Sequence, residues 1–136
     1  MSLERDFIRY EEGPPPRAKD MPHVSIDTKG YIYINRRAHE LLARPKAVEL
    51  YYSPERETIA IAQCGHRMPR SFPVFPHLSG GFYIHAGAFC GHFRIHPKRT
   101  QRFIRPDIDN SGYLILDLRQ TVNVTSKERK RRKAGE

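Results

Sequence analysis

No stretch of this chain approaches the ~18 uncharged apolar residues that a membrane-crossing helix requires, so no membrane partner is expected. The N-terminus, Met1-Ser2-Leu3-Glu4-Arg5-Asp6, lacks the cationic and apolar segments of a secretory signal. Cysteine is scarce: two thiols cannot build a disulfide framework, and they suit a reducing compartment. A cytoplasmic location is the expectation. Catalytic signatures are also missing. There is no Gly-rich phosphate loop and no nucleophile elbow, and His39-Glu40 lacks the spacing of a zinc metalloprotease helix. The expectation is a protein that acts by stoichiometric binding and is not an enzyme.

What the chain has is positive charge. Its 24 Lys and Arg outnumber 15 Asp and Glu, giving a net +9. Residues 127–136 carry six basic and two acidic residues, hence +4, and the first 22 carry four and five, hence −1. Residues 23–126 carry 14 basic and eight acidic residues, hence +6. The body is therefore basic without its tail. A polyanion partner follows, and nucleic acid is the commonest one, with DNA expected ahead of RNA.

At 136 residues the chain holds one modest core plus tails. Residues 1–22 read as a flexible arm, because Pro14-Pro15-Pro16 fixes φ and removes backbone donors. Alternation starts at His23-Val24-Ser25-Ile26-Asp27, the mark of a half-buried strand. Thr28-Lys29-Gly30 is turn-like, and Tyr31-Ile32-Tyr33-Ile34 is a second strand. Asn35 suits the N-cap of a helix running through Leu42, and Pro45 prevents more helix. Strands are expected at Ala47–Tyr52 and Thr58–Ala62. Residues 64–80 form a connector in which Ser71–Phe75 fits a sheet edge. A strand at Phe82–His85, a helix near Ala88–Phe93, and strands at Arg99–Ile104 and Tyr113–Leu118 complete the body, and residues 121–136 form a basic tail.

The pattern is partly duplicated. Gly30-Tyr31-Ile32-Tyr33-Ile34 is echoed by Gly81-Phe82-Tyr83-Ile84-His85, each running into a short helix. Pro45-Lys46 and Pro54 are echoed by Pro97-Lys98 and Pro106. Two strand–helix–strand–strand repeats, over 23–63 and 81–120, predict a mainly β (α+β), β-barrel-like domain with an approximate two-fold axis. Its predicted core is Ile32, Ile34, Leu41, Leu42, Ile59, Ile61, Ile84, Phe89, Leu114 and Leu116.

With Asp27-Thr28-Lys29-Gly30 as the turn, Ile32 and Ile34 in the strand, Leu41-Leu42 at the helix end and Val48–Leu50 and Thr58–Ile61 as the hairpin, residues 23–63 resemble the AbrB-like swapped-hairpin DNA-binding family. The weaker echo over 81–118 is similar to the duplication in MraZ-like regulators. Tyr31 stands where that family has arginine, and the second copy has Ser79-Gly80-Gly81 in place of its Asp-x-x-Gly turn. The resemblance implies a DNA-binding transcriptional regulator. The alternative is a protein-interaction module or non-catalytic subunit of a larger assembly, docked through its arm and basic tail. A homo-oligomer or protein partner stays open in either case.

Candidate phosphate contacts are Lys29, Arg36, Arg37, Arg44 and Lys46 in the first copy. In the second they are Arg94, Lys98, Arg99, Arg102 and Arg105, and in the tail Lys127, Arg129, Lys130, Arg131, Arg132 and Lys133. Tyr31 and Tyr33 either stack on unpaired bases or, more simply, pack in the core or on the sheet. Cys64-Gly65-His66 and Cys90-Gly91-His92 supply four zinc-type donors, but the spacing is tighter than structural zinc ligands show. Asp107, Asp109 and Asp117 could suggest a metal-dependent nuclease cluster, but Asp107-Ile108-Asp109-Asn110-Ser111-Gly112 reads more simply as a turn. No metal and no cofactor are expected.

Overall fold

A computed structural model describes residues 7–15, 17, 20–65 and 68–124. Among the described residues, eleven short strands and two short helices follow in the order β1 (Val24–Ile26), β2 (Tyr31–Ile34), α1 (Arg36–Leu41), β3 (Ala47–Ser53), β4 (Thr58–Cys64), β5 (Phe72–Pro73), β6 (Phe75–Pro76), β7 (Phe82–His85), α2 (Gly87–Phe93), β8 (Gln101–Phe103), β9 (Asp107–Ile108), β10 (Leu114–Asp117) and β11 (Thr121–Asn123). They form two antiparallel sheets. The first has six strands in the order β11-β8-β1-β2-β7-β6, and the second has five in the order β5-β3-β4-β10-β9.

Both sheets feed one core. Ile26, Ile32, Ile34 and Ile84 come from the first sheet and Val48, Ile59, Ile61, Leu114 and Leu116 from the second. Each is no more than 2% exposed. The period of two in β2 and β10 places alternate residues inward, as a two-layer β protein requires. Ala38, Leu42, Phe89 and Cys90 join the same cluster from the helices.

Local chemistry explains the element ends. The Asn35 side chain accepts from the Ala38 backbone N–H at 2.9 Å, which starts α1, and also from His23 N–H at 3.0 Å. The turn before β10 is closed by Asp109, whose carboxylate accepts from the N–H groups of Ser111 and Tyr113 at 2.9 Å each. Gly30 takes φ +87°, and a Cβ built on it would lie 2.8 Å from the Cα of Gly87 at the start of α2. The β1–β2 turn is thereby pressed against the second helix.

Four expectations need correction. The domain is not a closed barrel. Pro73 and Pro76 sit in the two-residue strands β5 and β6 at the sheet edges, where a residue without an N–H ends the ladder. The two repeats diverge after their helices: β3 follows α1 into the second sheet, whereas β8 follows α2 into the first and pairs with β1 and β11. Leu41 is only partly buried, because the six-residue α1 turns Ala38 and His39 inward and its C-cap Leu42 follows them. The other nine predicted core residues are buried. The first sheet also continues past residue 120, since β11 pairs with β8 from Thr121 to Asn123.

Candidate nucleic-acid interface

The residues of the first sheet that alternate with its buried isoleucines point away from the core. On β2 they are Tyr31 and Tyr33, and on β7 they are Tyr83 and His85. The pairing register sets Tyr31 opposite His85, Tyr33 opposite Tyr83, and Tyr83 opposite Phe75 of β6. Directly opposed side chains on adjacent strands are within contact range. The rings therefore gather. Tyr31 stacks on His85 with centroids 4.6 Å apart, Phe75 on Tyr83 at 5.3 Å, and His77 meets Tyr33 edge-on at 5.7 Å. Phe75 remains 41% exposed.

The same register extends the row to a cation. Tyr33 stands opposite Ser25 of β1, and Ser25 opposite Arg102 of β8. From Phe75 to Arg102 the row crosses four strand intervals of ~4.8 Å, a span of about 19 Å. Arg102 is exposed.

One carboxylate lies at the margin, and it is used internally. Asp27, in the β1–β2 turn, accepts from the backbone N–H groups of Lys29 and Tyr31 at 2.9 Å each. Its second oxygen accepts from the Tyr33 hydroxyl at 3.4 Å. Partial burial, and then the Asp27 charge, push the Tyr33 phenol above its ordinary range, so it stays a neutral donor at physiological pH.

Charge is sorted between the sheets. The six strands of the first sheet contain no Asp or Glu, and the five strands of the second contain no Lys or Arg. Six of the eight acidic residues in 23–126 belong to the second sheet or to the turns within it: Glu49, Glu55, Glu57, Asp107, Asp109 and Asp117. Asp117 is further held by Arg119, whose hydrogen bonds lower its carboxyl below the usual range.

All ten candidate cations of the body are exposed. Arg102 lies in the aromatic row, Lys29 in the turn beside Tyr31, and Lys98 and Arg99 in the segment that leads into β8. Arg36 begins α1, separated from the end of β2 at Ile34 only by the N-cap Asn35. The others do not join the row. Arg37 pairs with Glu40 at 3.5 Å, Arg44 and Lys46 follow α1, Arg94 caps the C-terminus of α2, and Arg105 follows β8. Lys127, Arg129, Lys130, Arg131, Arg132 and Lys133 lie outside the described residues. Tyr83, Phe75, His77 and His85 were not expected at the site. The signal for two of them was the alternation of Tyr83 and His85 around Ile84, the same as that of Tyr31 and Tyr33 around Ile32.

The two cysteines occupy different environments. Cys64 ends β4 and Cys90 is buried in α2, where loss of solvent pushes its thiol up to about 11. His66 lies outside the described residues, and among those described no three His, Cys, Asp or Glu side chains gather as a metal site. Asp107 and Asp109 bond local backbone N–H groups.

No family model, curated protein or solved structure matches this chain. The chemistry of the face must therefore be read from its own residues. It offers π surfaces for flat partners, hydroxyl and imidazole donors, and cations at its margin. Among the described residues, no helix is long and apolar enough to cross a membrane.

Proposed function

We propose that this is a small basic nucleic-acid-binding protein that acts by stoichiometric binding through the outward face of its first sheet. The observation that carries the reading is the sorting of charge and aromatics. One sheet has no acidic residue in its strands and bears the Tyr31–Tyr33–Tyr83–Phe75 cluster, while six of the eight acidic residues of 23–126 collect on the other. A polyanion is attracted to the first face and repelled by the second. Regulation of transcription is the role that the AbrB-like resemblance would give such binding.

An approximate two-fold relation between Tyr31–Tyr33 and Tyr83–His85, with the buried Ile32 opposite the buried Ile84, fits this reading. In it β2 pairs with β7, Gly30 lies against the start of α2, and Gly81 lies against Ile34 and Asn35 at the start of α1. Each repeat then contributes one strand of aromatic residues to the same surface.

A second reading, a protein-interaction module or non-catalytic subunit, is favoured by a shallow apolar concavity of about 420 Å³ on the second sheet. Tyr51, Ala60 and Ile115 line it. Salt separates the two. Phosphate binding releases counterions and weakens steeply with salt, whereas an apolar protein interface does not. Titration of labelled DNA and RNA oligonucleotides with the full chain, from low to physiological salt, should show affinity falling log-linearly. No binding to either nucleic acid at low salt would end the proposal.

A further inference from the structure

We infer that the ligand of the first sheet is an unpaired nucleic-acid strand, its bases stacked on Tyr31, Tyr33, Tyr83 and Phe75 and its phosphates led toward Arg102. This rests on the nucleic-acid reading and narrows it to one form of the polymer.

The shape of the face does not fit a duplex. The major groove of a duplex admits an α-helix or a two-stranded ribbon. The aromatic cluster occupies three adjacent strands of a six-stranded sheet, β6, β7 and β2, and is too broad for a groove. The two helices have only six and seven residues and turn Ala38, His39, Phe89 and Cys90 into the core, so neither is free to act as a probe. A duplex also hides its base faces inside its own stack. Aromatic rings on an open sheet gain nothing from a phosphate surface, but they do gain from exposed bases, because every base has a π face.

The rings are also pre-organised. Tyr33 is held at both ends, its hydroxyl by Asp27 and its ring against Tyr83 and His77. Tyr31 is held against His85. Rings already fixed lose little freedom when a base arrives.

Charge at the end of the row suits a phosphate backbone. The row that begins with Phe75 and Tyr83 ends at Arg102, with Ser25 between. Of the two remaining acidic residues of the body, Asp27 is occupied as described and Glu40 faces Arg37. About two or three bases fit a sheet platform of this kind. Stacking does not depend on the sugar, so ribose and deoxyribose strands both qualify.

The test compares fluorescein-labelled oligouridine and oligothymidine 12-mers with a mixed-sequence duplex, using fluorescence anisotropy and the full chain. Single strands are expected to bind at least tenfold more tightly than the duplex. Phe75→Leu and Tyr83→Leu should each lower single-strand affinity about tenfold. Tyr83→Phe keeps the ring and should retain it, which separates stacking from simple loss of fold. Phe75 lies at an exposed edge, so its variant is expected to melt like the parent. Preference of one sugar over the other leaves the inference standing and identifies the natural strand. Duplex binding equal to single-strand binding, with both leucine variants unimpaired, would overturn the inference while leaving nucleic-acid binding intact. No binding to any probe would overturn both. Dimerisation that is lost in Tyr83→Leu, without single-strand binding, would assign the face to a second copy of the chain.

Discussion

Tyr33 and Tyr83 stand directly opposite one another across the β2–β7 pair, with ring centroids 6.3 Å apart on the face turned away from the core. They lie far apart in the chain and meet because β2 pairs with β7. The surface is thus a product of tertiary pairing. Neither strand alone carries it, because Tyr31 and Tyr33 of β2 meet His85 and Tyr83 of β7.

The core should respond unevenly at two adjacent leucines. Leu42 is 1% exposed and packs in the shared cluster, so Leu42→Ala should cost about 2–5 kcal/mol. Leu41 is only partly buried, and Leu41→Ala should cost clearly less. Denaturant midpoints of the two variants check this, and equal losses would contradict the burial pattern of α1.

Two glycines with similar backbone angles should differ in the same way. Gly30 and Gly112 have φ of +87° and +83°. A methyl group at Gly30 would meet Gly87 at 2.8 Å, whereas nothing lies within 4 Å of one at Gly112. Gly112→Ala carries only the left-handed strain, about 1 kcal/mol. Gly30→Ala adds a backbone clash and should be the more destabilising by thermal melting.

Alkaline pH should weaken the fold through Cys90. Its thiol is pushed from an ordinary 9.0 to about 11 in the folded state by burial. The unfolded chain therefore loses this proton first. The contribution is complete below pH 9 and is lost as pH rises from 9 to 11. Denaturant midpoints measured across that window should fall less steeply in Cys90→Ala than in the parent chain.

Residues 127–136 carry +4 and leave the +6 of residues 23–126 untouched when deleted. Loss of their six cations should lower affinity and reduce the log–log salt slope by at most about 4 to 5. Relative preference among probe sequences should stay nearly constant, because phosphate contacts carry no sequence information. Matched salt titrations of full-length and truncated protein measure both effects.

Much of the local structure was legible in the sequence. The alternation around Val24 and Ile26, the β-forming run Tyr31–Ile34, the Asn35 cap and the Asp109–Gly112 turn all act through near neighbours, and all are found. Sheet membership was not legible. β8 reaches back to Ser25 and Ile26, and β10 to β4, through pairings that no local preference encodes. Leu41 was misplaced because an apolar pair at a helix end does not say which member faces inward. The tyrosines were visible as residues, but the site they form was not. Phe75 and His77 come from a proline-rich connector, and nothing near them in the chain points to Tyr33. The sorting of acidic residues onto one sheet depends on the same long-range pairing.

The most direct measurement is a titration of isotope-labelled full-length protein with an unlabelled oligothymidine 12-mer, followed by NMR. The account predicts that the ring signals of Tyr31, Tyr33 and Tyr83 and the Arg102 side chain shift in a saturable, salt-sensitive way, while Tyr51 and Tyr113, stacked on each other 5.7 Å apart and away from the first sheet, stay in place. Shifts confined to Tyr51, Tyr113 and the second sheet, or no shifts at low salt, would contradict it.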